Sequence, residues 1–347
     1  MRRFALYILI TGLITAILYQ RDASTQVNTV KELAPGVYFH EGDLRGKGHC
    51  NNGWVVFDDY VLVVDANFPS GAQEIIPKIK ALTNKPIRFA FDTHHHGDHA
   101  YGNQVWVDNG AVLVAHENVV SEMRKYETGL FGGGPGRWED TAQQREDMKN
   151  TRLKPPSLLY RDEMIFDDGK HRVELRYFGV AHTHGDGFAW LPKERILFTG
   201  DAAVNGPYNY MGDGDSAAWV ATLAEARKLG ATVVAPGHGP VGDGHVIDAQ
   251  QQFFMDLRSE VEKRKALAPD RVQAEVPAIR DALLKRHPTY IDTSEKPITS
   301  FEAQVAQVYK EMTGKEFPKK AALEDARRQH NRQHGPELSP AGGNDLN

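Results

Sequence analysis

Four histidines and an aspartate fall within seven residues, Thr93-His94-His95-His96-Gly97-Asp98-His99, directly after the apolar stretch Ile87-Arg88-Phe89-Ala90-Phe91. A purification-type histidine run sits at a terminus, and a chance polar loop does not concentrate ring nitrogens behind a buried strand. Neutral imidazole is a common nitrogen ligand for zinc. Gly97 lets the backbone turn tightly, so that side chains of one short loop converge. A loop carried on a strand end is rigidly supported, as a preorganised site requires. His94 and His96, two residues apart, reach one ion; Asp98 and His99 then point elsewhere and reach a second. The segment therefore demands a fold that brings further ligands to the end of this strand.

Three later strand ends offer them. His182 follows Tyr177-Phe178-Gly179-Val180-Ala181, Asp201 follows Ile196-Leu197-Phe198-Thr199-Gly200, and His238 follows Val233-Val234-Ala235-Pro236-Gly237. A lone histidine is more often structural, but the same strand-then-ligand order three times over favours ligation. His95, between ligands, is expected to face away or to donate a hydrogen bond. His184 is expected in the outer shell of the site, with Asp186.

Hydrophobic periodicity sets the organisation around these residues. Strand patterns occur at 37–39, 54–57, 61–64, 87–91, 112–114, 164–166, 173–178, 188–191, 196–199 and 232–234, and Asp58-Asp59 reads as a hairpin turn. Helical spacing marks 72–82, 116–126, 138–150 and 217–229, and the chain beyond Val246 reads as helical at 246–267, 272–285 and 301–312. The implied domains are a layered α/β unit over 32–245, a helical C-terminal extension over 246–334 and a disordered tail over 335–347 rich in Gly, Pro, Asn and Asp. Gly129 to Gly136 reads as a mobile loop; it lacks the preceding strand, following helix and lysine of a phosphate-binding loop.

Composition narrows the function. Apolar residues are 41 % and charged residues 25 % of the 347, as in an ordinary globular chain. A net charge of -5 gives no broad basic face for nucleic acid. The single cysteine, Cys50, excludes an intrachain disulfide and a cysteine-based zinc cluster, and reads as a packed thiol. At the N-terminus Arg2 and Arg3 precede an apolar run from Phe4 to Tyr19 and then a polar stretch, the pattern of a secretory signal peptide over 1–26. The cleavage site is not a clean small-x-small pattern, so an uncleaved membrane anchor stays open. Either way the chain is expected to work in the periplasm or outside the cell.

Taken together, Asp65 after Val61–Val64, His94-x-His96-x-Asp98-His99, Gly179-x-x-His182-Thr183, Gly200-Asp201 and Gly237-His238-Gly239 resemble the metallo-β-lactamase superfamily, in the family's order and over roughly 32–245. The resemblance implies an α+β fold, a four-layer αβ/βα sandwich with the site along one edge between the sheets. It implies two zinc ions, the first held by His94, His96 and His182, the second by Asp98, His99 and His238, with Asp201 bridging and Asp65 supporting the ligand loop. Iron or manganese in place of zinc stays open. Asp201 as the bridge is similar to glyoxalase II and lactonase-like members, whereas the members named for antibiotic cleavage usually carry cysteine or serine there. The run His182-Thr183-His184-Gly185-Asp186 is also similar to periplasmic members linked to quinoprotein systems.

The expected activity is hydrolysis of a small carbonyl substrate (ester, thioester, lactone or β-lactam) by a metal-bound hydroxide, with Asp98 or Asp201 moving the proton. No Gly-x-Ser-x-Gly nucleophile elbow is present. Phe131 to Trp138 and the group Tyr208, Tyr210 and Met211 are candidate pocket walls, although aromatics there equally suit loop packing. Three other readings stay open: an iron-dependent sulfur dioxygenase, a nuclease or phosphodiesterase, and a non-catalytic binding module. An oxygen-reducing member is disfavoured, because such members replace the second histidine of the cluster by glutamate and His96 stands here. The sequence does not decide the oligomeric state.

Overall fold

The structure, a computed structural model, describes residues 27–125 and 136–318. The leader over 1–26, most of the glycine-rich loop and of the 131–138 wall, and the tail over 335–347 lie outside the described residues.

Two sheets carry the fold. The first contains β1 (Val30–Ala34), β2 (Val37–His40), β3 (Asn52–Val56), β4 (Val61–Val64), β5 (Ile87–Asp92), β6 (Val112–His116) and β7 (Leu158–Tyr160), side by side in chain order. Its first four strands pair antiparallel and the remaining pairs are parallel. The second sheet has the order β12-β11-β10-β9-β8, from β8 (Glu163–Asp167), β9 (Arg172–Tyr177), β10 (Gly187–Leu191), β11 (Ile196–Gly200) and β12 (Val233–Pro236). Only β11 and β12 are parallel there.

The runs of continuous apolar residues are explained by burial on both faces of each sheet. Leu62 and Val64 of β4 point into a core shared with Ala189, Leu191 and Phe198 of the second sheet. Val61 and Val63 point the other way, onto α1 (Pro69–Leu82) and α3 (Asn103–Asp108), where they meet Ile75, Ile79 and Trp106. In the second sheet Phe188, Trp190 and Leu197 face outward onto Trp219 and Leu223 of α6 (Ser216–Arg227) and Phe254 of α7 (His245–Glu262). The layers are thus helix, sheet, sheet, helix, the αβ/βα arrangement expected. The outer helical layer continues through α8 (Pro269–Ala274), α9 (Val276–Leu284) and α10 (Phe301–Thr313), which share one apolar cluster with α6 and α7. Capping is local and legible: Asp215 accepts from Ala218 N at 2.7 Å at the start of α6, and Ser300 from Ala303 N at 3.2 Å at the start of α10.

Several elements differ from the sequence reading. The helix expected over 138–150 is α5 (Arg137–Gln144) followed by a single 3-10 turn at Glu146–Met148. Tertiary contacts break it at Arg145, whose guanidinium lies 3.6 Å over the Phe68 ring, while Asp147 accepts from Ser70. The helix expected to reach 267 stops at Glu262. Strands β1 and β7 and helix α3 carry no clear period. The histidine loop itself winds into one helical turn, α2 (Gly97–Ala100), and β6 leads into α4 (Glu117–Lys125).

Candidate metal centre

The ligand-type residues sit where strands end. β4 and β5 run parallel in the first sheet, β11 and β12 run parallel in the second, and β9 shares the direction of β11 because β10 is antiparallel to both. Asp65, the 93–99 loop, His182, Asp201 and His238 therefore leave at one edge, and the fold brings all seven expected ligands together. All seven are buried, none more than 2 % exposed. Gly237 permits the closest approach: a Cβ there would collide with Asp201 Oδ1 and stand 2.7 Å from the carbonyl carbon of Gly200.

Two triads of donors result. In the first, His96 Nδ1 lies 3.1 Å from His94 Nε2 and 2.8 Å from His182 Nε2. In the second, His238 Nε2 lies 3.1 Å from Asp98 Oδ2 and 3.4 Å from His99 Nε2. Asp201 spans them: its Oδ1 is 3.2 Å from His99 Nε2, and its Oδ2 is 3.3 Å from His238 Nε2 and 3.5 Å from His182 Nε2.

The far nitrogens of four of these rings are held, which decides which nitrogen faces the centre. Thr93 Oγ1 donates to Asp65 Oδ1 at 2.7 Å and accepts from His94 Nδ1 at 3.1 Å. His99 Nδ1 lies 2.9 Å from Asp65 Oδ2. His182 Nδ1 donates to the Tyr210 carbonyl at 2.9 Å, and His96 Nε2 donates to Asp213 Oδ2 at 2.8 Å. With their hydrogens committed outward, three nitrogen lone pairs of the first triad face one another. Lone pairs at this spacing repel unless a cation lies among them; two donors about 2.0–2.1 Å from a tetrahedral ion stand roughly 3.3 Å apart. The buried carboxylates of Asp98 and Asp201 have the His99 and His238 rings beside them, an arrangement costly for charged groups unless they coordinate or pair. The donor set, imidazole nitrogen and carboxylate oxygen, fits a pair of zinc-type divalent ions.

Electrostatics divide the site. Burial, then the neighbouring rings, hold His94 well below its ordinary value, and burial brings His182 down to about 3. His238 rises to about 9, because Asp201 and Asp98 outweigh its burial. Asp201 is held well below the ordinary carboxylate range, His238 and His99 overcoming its burial. Protons held by the second triad are those a bound cation displaces.

The structure corrects one expectation and adds to the site. His184 does not join the outer shell. Thr183 N and Oγ1 both donate to Asp186, which closes a turn with residue 184 at its tip; the His184 side chain is 47 % exposed, its Nδ1 3.8 Å from Glu122. His95 is buried beside Asp213, at 3.8 Å. Tyr208 and Tyr210 do flank the centre, with ring centroids 5.6 Å from His238 and 5.5 Å from His96. Cys50 is wholly buried near His99 and Asp65, and burial pushes its thiol up to about 12, in keeping with a packed role.

Sequence reasoning missed Asp213, Arg137 and Asn51. Arg137 donates to Asp213 Oδ2 at 2.7 Å, so one carboxylate oxygen joins Arg137 and His96. Asn51 donates to the carbonyls of Pro236 and Gly239 and fixes the turn that carries His238. The run Gly212-Asp213-Gly214-Asp215 gave a signal for Asp213, since a carboxylate among glycines reaches inward easily; Arg137 and Asn51 gave none.

Comparisons with known proteins agree with this geometry. The family model described as the metallo-beta-lactamase superfamily matches residues 45–238, more than half of the chain. The chain belongs to that superfamily. The beta-lactamase-like protein 2 homolog of Caenorhabditis elegans is 25 % identical over 211 residues, 59 % of this chain and 61 % of that protein. The hydroxyacylglutathione hydrolase of Trichormus variabilis is 26 % identical over 161 residues, 46 % of this chain and 53 % of that protein. The chain thus matches about three-fifths and about half of the length of these two relatives. Among solved structures, a metallo-beta-lactamase from Pontibacter korlensis superposes with a TM-score of 0.52 at 19 % identity, over 65 % of this chain and 98 % of that one. VMB-1 superposes with a TM-score of 0.52 at 22 % identity, over 67 % and 98 %. At these identities the solved structures show the shared fold.

Proposed function

We propose that the chain is a binuclear metal-dependent hydrolase that cleaves a small carbonyl substrate: an ester, thioester, lactone or β-lactam. One observation carries this reading: two triads of buried donors, joined by the Asp201 carboxylate, with the outer nitrogens of His94, His96, His99 and His182 held by hydrogen bonds or a carboxylate. His94, His96 and His182 would hold one divalent ion; Asp98, His99 and His238 would hold the other, with Asp201 touching both. Two such ions, zinc by preference, supply Lewis acidity and a water ionised near neutral pH.

The protein's own groups do the rest. Asp65 and Thr93 fix the His94 and His99 rings, Asp213 fixes His96, and the Tyr210 carbonyl fixes His182, so little reorganisation remains when substrate arrives. Asp98, whose Oδ2 faces His238, would hold a proton and return it to the leaving group. Tyr208 and Tyr210 form apolar walls on either side of the centre. A relative described as a hydroxyacylglutathione hydrolase supports an acyl substrate.

The test is metal content followed by assay of a generic ester, a thioester and a chromogenic cephalosporin. Two zinc equivalents with any of these activities support the reading. Iron with thiol-dependent oxygen uptake would instead favour a dioxygenase on the same fold. Export rests on the N-terminal sequence pattern: among the described residues no helix is long and apolar enough to cross a membrane, and the leader is not among them. Fractionation of cells expressing the full chain decides it.

A further inference from the structure

A cavity of about 360 Å³ lies between the 209–212 segment and helix α10 with the residues after it. That is within the size range of small-molecule sites, about 300–1,000 Å³. Met211, Ala303, Ala306 and Phe317 contribute apolar wall. The polar side chains along it are engaged elsewhere or sealed. Thr299 donates to the Pro207 carbonyl at 3.1 Å, Ser300 accepts from Ala303 N at 3.2 Å, and Gln307 donates to Glu311 at 3.2 Å. Lys310 pairs with Glu316 at 2.7 Å, both side chains more than half exposed, so this pair stands at the solvent side. The amide of Asn209 and the amide oxygen of Gln304 are closed to solvent. The cavity therefore offers an occupant mainly apolar surface, and a charged group inside it would give up hydration without return.

Tyr210 borders both this cavity and the metal centre. It lines the cavity, and its ring centroid is 5.5 Å from that of His96 and 6.1 Å from that of His182. Its hydroxyl packs over Gly212, another lining residue, where a Cβ would collide with it. We propose that the cavity is a subsite for an uncharged apolar group, an aromatic or short alkyl tail, on the molecule whose polar head is held at the metal centre. The subsite rests on the function proposed above and narrows it to carbonyl compounds that carry a hydrophobic tail. Burying such a tail removes apolar area from water, so a tailed molecule binds more tightly than its tail-less counterpart.

The probes are a series of phenyl-terminated alkanohydroxamates of increasing chain length, compared with acetohydroxamate. The hydroxamate head chelates a divalent ion, so no turnover is needed. Binding to the zinc-loaded full chain is measured by calorimetry and located by backbone amide shifts. The expected result is that one tail length binds about tenfold or more tighter than acetohydroxamate, with shifts at 209–212 and α10. Ala306→Trp fills the cavity from α10 and should lose that gain, with fold and metal content checked by circular dichroism and elemental analysis. Ala303→Phe fills it from the same helix should the first variant not fold. A tail that adds nothing at any length, shifts confined to the histidine loop and Tyr208, or a gain that survives in a folded, filled variant would overturn the proposal. If acetohydroxamate itself does not bind, the metal reading has failed. The cavity is then decided by 4-phenylbutan-1-ol, which needs no metal: saturable binding with the same shifts upholds the apolar subsite, and its absence overturns it.

Discussion

Removing the Asp213 carboxylate tests whether the histidines are oriented from outside. In the folded chain Asp213 Oδ2 accepts from His96 Nε2 at 2.8 Å and from Arg137 at 2.7 Å. Although burial raises it, His96 and Arg137 hold its carboxyl far below the ordinary range, so it is an anion at any working pH. That anion keeps the His96 hydrogen on Nε2 and leaves the Nδ1 lone pair facing His94 and His182. Asp213→Ala deletes a hydrogen bond to a charged group, worth about 1.5–3 kcal/mol, and so should weaken the first metal site by about 10- to 100-fold. The variant also takes the Asp213 carboxylate away from the Arg137 guanidinium. The double variant Arg137→Ala, Asp213→Ala separates the two effects. Asp213→Asn should cost less than alanine, because an amide oxygen in the Oδ2 position still accepts from both partners. The assay is zinc titration of metal-stripped protein in competition with a chromophoric chelator, with circular dichroism as the folding control. Wild-type affinity in a folded Asp213→Ala protein would show that ring orientation does not depend on this carboxylate.

Other outcomes follow from the same geometry. His96→Ala should lose metal and all hydrolysis; full activity would mean that the ligand assignment is wrong. Asp201→Ala should deplete the metal pair more than His95→Ala does, as read by elemental analysis, and equal contents would argue against a bridge at Asp201. Gly237→Ala drives a Cβ into Asp201 Oδ1, so it should separate the two triads and cost about 1–3 kcal/mol of stability; an unchanged melt and metal content would contradict this. His40 is buried, Lys78 Nζ lies 2.8 Å from its Nε2, and burial and that charge bring it down to about 4. The folded chain therefore keeps His40 neutral while the unfolded chain protonates it below about 6.5, which removes up to about 3 kcal/mol of stability between pH 6.5 and 4. His40→Gln should flatten that part of the denaturation profile relative to wild type, and parallel profiles would refute it.

Some of this was legible in the chain because it is local. The alternation of β4 and β10 between two cores shows as uninterrupted apolar runs, and the runs of β4, β5, β11 and β12 lead into Asp65, the histidine loop, Asp201 and His238, residue types that need no long-range information to recognise. The order of those residues, Asp65, His94 to His99, His182, Asp201, His238, was enough to resemble one family and to anticipate its layers. Helix caps such as Asp215 and Ser300 are equally local. The break at Arg145 was not, because it depends on Phe68 and Ser70, about eighty residues away in sequence.

What the tertiary structure alone decided is which groups meet across the gap between the sheets. Periodicity assigns a face to a residue but not the partner on the opposite sheet. Asp213 meets His96 across more than a hundred residues, Asn51 meets the His238 turn from the other sheet, and Asn209 and Gln304 line one cavity from a loop and a distant helix. His184 went the other way: a hydrogen bond between Thr183 and Asp186, its own neighbours, turned it to solvent. Ligand identity follows from residue type and spacing, which the chain carries along its length. Ligand orientation follows from hydrogen bonds between segments that only folding brings within 3 Å of one another, as the 2.8 Å contact of His96 with Asp213 shows.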